Sequence, residues 1–283
     1  MLADVDDVFW PQFRLIPPEI GPPSGEIHVW SAKIDHPIPS VDQLLNILDE
    51  AERFRADTYQ IDRDRRRFIV RRAILRTLLG HYTGVGPGSL QFHYGPQGKP
   101  GLATSTPVFQ IVHFSVSHSD GLSLYAFTLG RELGVDVERI RQISDADSIS
   151  EKFFSHRERS LLSMVPRSQK QEAFFNCWTR KEAYVKATGD GITAQLDHFD
   201  VSVALGEPAR LINLDGDPIR AAAWALYDLK LAENYTGALA IKSSKESLVL
   251  REYTCANDLA GLHSNFEYGG QALLGLTPGA SGW

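Results

Sequence analysis

The chain of 283 residues is 43% hydrophobic and 23% charged, with a formal net charge of -6. Such a composition fills one large core or two modest ones and excludes disorder throughout. The acidic balance also excludes a nucleic-acid footprint over the whole surface, because affinity for phosphate backbones comes from clustered Lys and Arg; any basic site must be local.

After a Pro-rich opening that includes Pro17, Pro18, Pro22 and Pro23, Glu26–Ile34 reads as a strand centred on IHVW. Two helices are predicted next. One starts at Ser40, which forms a capping box with Gln43, and it sets Leu44, Leu45 and Leu48 on one face. The other runs from about Asp64 to Tyr82, with Phe68, Ile69, Leu75, Leu78 and Leu79 apolar and Gly84 just beyond its end. The stretch YGPQGKPGL reads as a loop, and FQIVHFSVSHSDGLSLYAFTL as a hairpin about an Asp120-Gly121 turn.

The second half repeats this order in outline. Its first strand is LGVDVERI, followed by one helix behind a Ser155–Glu158 capping box and another behind a Ser168–Gln171 box, the latter ending at Gly189. Strands HFDVSVAL, AAAWALYDLKL and GALAIKS complete it. Two strand, helix, helix, hairpin units predict an α+β pseudo-dimer of similar α/β subdomains, 1–131 and 132–245, joined near Gly130–Gly134. The active site is expected in the cleft between them. Residues 246–283, where the pattern fades, read as a loosely held tail.

In GVDVE, Asp136 and Glu138 are two apart on a strand and so share a face, where they repel unless something positive lies between them. Glu182, in WTRKEAYVK, lies on a helix with Lys186 one turn on. An exposed strand face and a surface i,i+4 pair would account for each set taken alone. Together, three carboxylates from two elements make a half-cage that Mg²⁺ and a substrate phosphate would complete. Positive charge for that phosphate could come from Lys186, Lys99, His118 or one or two arginines of RDRRRFIVRR, most of which read as a solvated helix face.

These segments resemble the Sfp-type 4′-phosphopantetheinyl transferases. The likeness rests on GKP at Gly98–Pro100, SVSHS at Ser115–Ser119, GVDVE at Gly134–Glu138, FFS at Phe153–Ser155 and WTRKEAYVKATGDG at Trp178–Gly191, in the family's order and spacing. It implies a two-domain fold with the active site between the domains. It also implies Asp136, Glu138 and Glu182 as metal ligands, with Asp136, Glu182 and Lys186 carrying catalysis and Lys186 near the pyrophosphate of coenzyme A. Lys181 stands beside them in the same motif. Arg55 and Arg67 resemble the first-domain basic residues that meet the nucleotide end of coenzyme A, and Lys99, Ser117 and His118 would contact its phosphates or adenosine. Ser115 departs from the family, in which many members have Asn at that position.

The reaction so implied attacks the phosphorus bearing the pantetheine with a carrier-protein serine and releases adenosine 3′,5′-bisphosphate. It depends on Mg²⁺ or Mn²⁺, and either Glu182 or a metal-bound water takes the serine proton. A metal-dependent phosphodiesterase or nuclease, and a coenzyme A binding protein without turnover, are the rival readings of the same residues. The expected partners are coenzyme A and an apo acyl, peptidyl or polyketide carrier protein. A pseudo-dimer supplies both walls of the cleft, so a monomer is expected. Cys177 and Cys255 are too few for a disulfide framework, MLADVDDVFWPQF carries acid where a secretory leader needs positive charge, and no stretch nears a membrane span. A soluble cytoplasmic protein is therefore expected.

Overall fold

The computed structural model describes residues 21–35, 41–103, 112–191, 195–243 and 247–255. Pro17, Pro18, the Ser40 cap, residues 109–111 of the expected hairpin and the chain from 256 onward lie outside them. The first half runs β1 (Glu26–Lys33), α1 (Val41–Leu45), α2 (Glu50–Asp57), α3 (Asp62–Thr83), β2 (Phe92–Tyr94), β3 (Pro100–Leu102), β4 (Val112–Ser119) and β5 (Leu122–Leu129). The second runs β6 (Leu133–Arg139), α4 (Ala146–Phe153), α5 (His156–Met164), α6 (Lys170–Thr188), β7 (Phe199–Val201), β8 (Leu211–Leu214), α7 (Pro218–Ala221), β9 (Trp224–Asp228) and β10 (Tyr235–Lys242). A last strand, β11 (Val249–Thr254), follows.

Two sheets organise these elements, in the orders β11-β1-β5-β4 and β6-β10-β9. In each half the first long strand pairs antiparallel with the last, which pairs with the one before it. The sheets share a core in which Ile27, Val29, Leu124 and Ala126 of the first meet Leu133, Val135, Val137 and Leu239 of the second. The alternation of β6 therefore sends its odd-numbered residues into this core and turns Gly134, Asp136 and Glu138 the other way. On that side lies α6. A Cβ at Gly134 would stand 2.7 Å from the Lys186 carbonyl carbon, and closer still to the Ala183 carbonyl oxygen and Ala187 nitrogen. Only glycine lets helix and strand approach so closely.

Several elements differ from the sequence reading. Helix α2 has no apolar stripe for a sequence pattern to detect; its N-terminus is an Asp49–Glu52 capping box. Salt bridges from Arg72 and Arg76 to Glu52, and from Arg76 to Asp49, tie it to α3. Helix α4 likewise buries only Ser150 fully. The loop YGPQGKPGL is the tip and flank of the short β2–β3 hairpin. The Ser155–Glu158 box forms as expected, but Ser168–Gln171 does not: α6 starts at Lys170 with no side-chain cap. There the turn from Pro166 supplies the acceptors instead, with Gln169 N donating to the Pro166 carbonyl at 2.9 Å. Residues 249–254, read as tail, form β11 parallel to β1, where Tyr253 stacks on Trp30 at 4.5 Å and Arg251 forks onto Glu26.

Candidate active site

Strands β4 and β6 lie edge to edge but are joined by side chains. Ser115, Ser117 and Ser119, spaced two apart on β4, accept the backbone N–H groups of Val135, Val137 and Arg139 at 3.1, 3.3 and 3.1 Å. Ser117 and Ser119 then donate their own protons to Asp136 Oδ1 (2.8 Å) and Glu138 Oε2 (2.7 Å). Each of these two hydroxyls thus pins a β6 carboxylate to the register of β4. Ser115 accepts Val135 N–H with a hydroxyl, so this contact needs no amide side chain there.

Over this face α6 lays Glu182 and Lys186. Lys186 Nζ donates to Asp136 Oδ1 at 2.6 Å and to Ser117 Oγ at 2.9 Å. Asp136 is buried, and its other oxygen, Oδ2, has no hydrogen-bond partner among the described residues. Burial, and then the nearby charge of Asp136, hold the Glu182 carboxyl above the usual carboxylate range; Glu182 has no hydrogen bond or ion pair among the described residues. Glu138 is raised by burial too, aided by Asp136, against the lowering effect of its Ser119 hydrogen bond. Each of these two carboxylates is short of compensation for its charge. Lys186 is the cation that all three acids feel. Among the described residues no three or more His, Cys, Asp or Glu side chains converge as a ligand group. The donor chemistry nevertheless suits a hard divalent ion, because the acceptors are carboxylate oxygens and one of them is buried without a partner.

The first-half residues divide into two sets. Arg67 is held by Asp35, at 2.7 Å through Nε and 2.5 Å through its fork. Arg55 is exposed, with its guanidinium 5.6 Å from the Phe68 ring. Lys99 donates to the carbonyls of Leu133 and Ala187. His118 is exposed near the end of β4, yet partial desolvation of its ring among neighbouring groups, then the charges of Arg71, Lys186 and Arg67, hold the imidazole down to about 4. Arg71 was not singled out in the sequence. It lies one turn beyond Arg67 and, unlike Arg67, Arg72 and Arg76, has no carboxylate partner among the described residues. Its i+4 spacing from Arg67 was the available signal. Ser119 was legible too, as the third member of the alternating S-V-S-H-S.

Lys181 departs from the site altogether. Its ammonium is fully buried on the far side of α6, donating to both Glu158 oxygens at 2.7 Å and to the Phe199 carbonyl at 2.6 Å. In WTRKEAYVK, adjacent Lys181 and Glu182 therefore serve core and site respectively.

Known proteins match both halves. A model of the 4′-phosphopantetheinyl transferase superfamily fits residues 132–240, and one of the 4′-phosphopantetheinyl transferase N-terminal region fits residues 36–128. The 4′-phosphopantetheinyl transferase HetI of Nostoc sp. is 39% identical over 225 residues, covering 80% of this chain and 91% of HetI. The chain belongs to the Sfp-type 4′-phosphopantetheinyl transferases. Sfp of Bacillus subtilis is 23% identical over 175 residues, which are 61% of this chain and 75% of Sfp. The ACPS–CoA complex of Chronobacterium ammoniagenes shows 20% identity over 41% of this chain and 98% of that one, with a TM-score of 0.31. Among the described residues of this 4′-phosphopantetheinyl transferase, no helix is long and apolar enough to cross a membrane.

Proposed function

We propose that this transferase moves the 4′-phosphopantetheine arm of coenzyme A onto a serine of an apo acyl, peptidyl or polyketide carrier protein. The observation that carries this reading is the buried Asp136, with one oxygen bonded to Ser117 and Lys186 and the other bare. In it the two halves are a pseudo-dimer, residues 1–131 and 132–245, with β11 returned to the first sheet and coenzyme A in the cleft between them. The matching strand orders of the two sheets support the pseudo-dimer.

Asp136, Glu138 and Glu182 would hold Mg²⁺, or Mn²⁺, which when bound supplies positive charge to the pyrophosphate. Lys186 neutralises charge that develops on the phosphoryl oxygens and the leaving group. Glu182 takes the proton of the carrier serine as its oxygen bonds to phosphorus and adenosine 3′,5′-bisphosphate departs. Arg55 and Arg71 supply a positive field for the nucleotide phosphates, with Arg67 anchored beside them, and His118, held neutral at pH 7, offers a ring N–H to a phosphate oxygen.

The test is the intact mass of an apo carrier incubated with the protein, coenzyme A and Mg²⁺, with EDTA as control. The expected result is a gain of one phosphopantetheine, lost in EDTA. Breakdown of coenzyme A without a carrier would favour a phosphodiesterase, and binding without turnover a coenzyme A binding protein.

A further inference from the structure

Lys99 belongs to the first half, in the β2–β3 turn, yet its ammonium bonds across to the second. Nζ donates to the Leu133 carbonyl at 3.2 Å and to the Ala187 carbonyl at 3.0 Å. Leu133 opens β6 three residues before Asp136, and Ala187 directly follows Lys186 on α6. Between these two carbonyls lies Gly134, the point where strand and helix touch. The stem of Lys99 runs beside the end of α6, where a Cβ on Gly189 would be 3.7 Å from Lys99 Cδ, and Gln97 packs against Gly191 in the same way. The last carbonyls of a helix lack partners within it and attract a cation. Burial pulls the Lys99 ammonium below its usual range, as expected of a cation set against carbonyls more than against carboxylates.

We propose that Lys99 is a positioning residue: it locks β6 to the C-terminal turn of α6, and so sets Asp136 against Glu182 and Lys186, rather than contacting the coenzyme. This rests on the transferase reading above. Lys99 works at the back of the reacting groups, on the main chain that carries them, and it is the first half's contribution to the geometry of second-half residues. A displacement of about 1 Å between such groups costs roughly 100-fold in rate.

The experiment uses full-length Lys99→Met, which keeps the stem and loses the donors, and Lys99→Arg, which can still donate to both carbonyls. For Lys99→Met, kcat for carrier modification should fall about 100-fold, while the Kd for coenzyme A, measured by calorimetry without carrier, stays at the wild-type value. Amide exchange across residues 133–139 and 185–189 should become about tenfold faster. Lys99→Arg should restore most of the rate and the protection. A raised Kd with kcat retained would make Lys99 a coenzyme contact and overturn the proposal, as would unchanged exchange in both segments. Should the wild-type protein modify no carrier, the transferase reading fails, and the exchange arm still decides whether Lys99 is the lock.

Discussion

Adjacent side chains of α6 do opposite work. Glu182 carries a desolvated carboxyl that feels the charge of Asp136, whereas Lys181 neutralises Glu158 inside the core with no exposure of either side chain. Removing one member of such a pair leaves a buried charge, so Lys181→Met should cost about 3–5 kcal/mol in urea unfolding. At Glu182 the sign is reversed. Its folded-state pKa is raised, so the stability given by the protonated form is complete below the unfolded pKa and lost as pH rises through the folded one. At neutral pH the ionised carboxylate therefore weighs against the fold. Glu182→Gln should raise Tm at pH 7, by a margin that shrinks as the pH is lowered through the carboxylate range, while transfer to the carrier is lost. Thermal unfolding of the two metal-free proteins from acid to neutral pH checks the stability change, and the intact mass of the carrier checks the loss of transfer. The type and spacing of these residues could be read along the chain, but the opposite fates of Lys181 and Glu182 could not, since a helix places neighbours about 100° apart and only the packing says which side is core.

The elements obey the same division. Strand β6 and helix α6 were legible from alternation and from the Gly189 stop, and the Ser155–Glu158 box was legible from its spacing. Helix α2 was not, because salt bridges to α3 hold it where an apolar stripe would otherwise be expected. The Ser168 box failed because backbone carbonyls of the preceding turn were already available. What joins β6 to α6 is Gly134, whose role follows from close approach in three dimensions. Gly134→Ala would drive a methyl group into the backbone of residues 183–187, and overpacking of this kind costs about 1–3 kcal/mol. Denaturant unfolding should show that loss. The steady-state kinetics should show a larger one, because the strand bearing Asp136 is pushed away from the helix bearing Glu182 and Lys186.

At the scale of the molecule, a strand remote in sequence completes the first sheet. β11 covers β1 in parallel register, from Glu26 opposite Val249 to Ser31 opposite Thr254. A chain ending at residue 248 should lose about 2–4 kcal/mol, the worth of burying an aromatic side chain and of its ring pairing with Trp30. Its thermal unfolding should show this, with the Asp136 site, which lies on the other sheet, retained. Strand β11 could not be foreseen from sequence because its burial alternates weakly and its partner stands more than 200 residues away.

The family, the α+β alternation and the identities of the charged residues are written along the chain, since motif spacing and hydrophobic period are properties of the chain alone. Which of those charges meet is settled only by packing in three dimensions. That packing set Arg67 on Asp35, left Arg71 without an acid among the described residues, turned Lys99 onto main-chain carbonyls and buried Lys181. Partners separated by tens of residues are chosen by the packing of sheets and helices, and no local pattern encodes that choice.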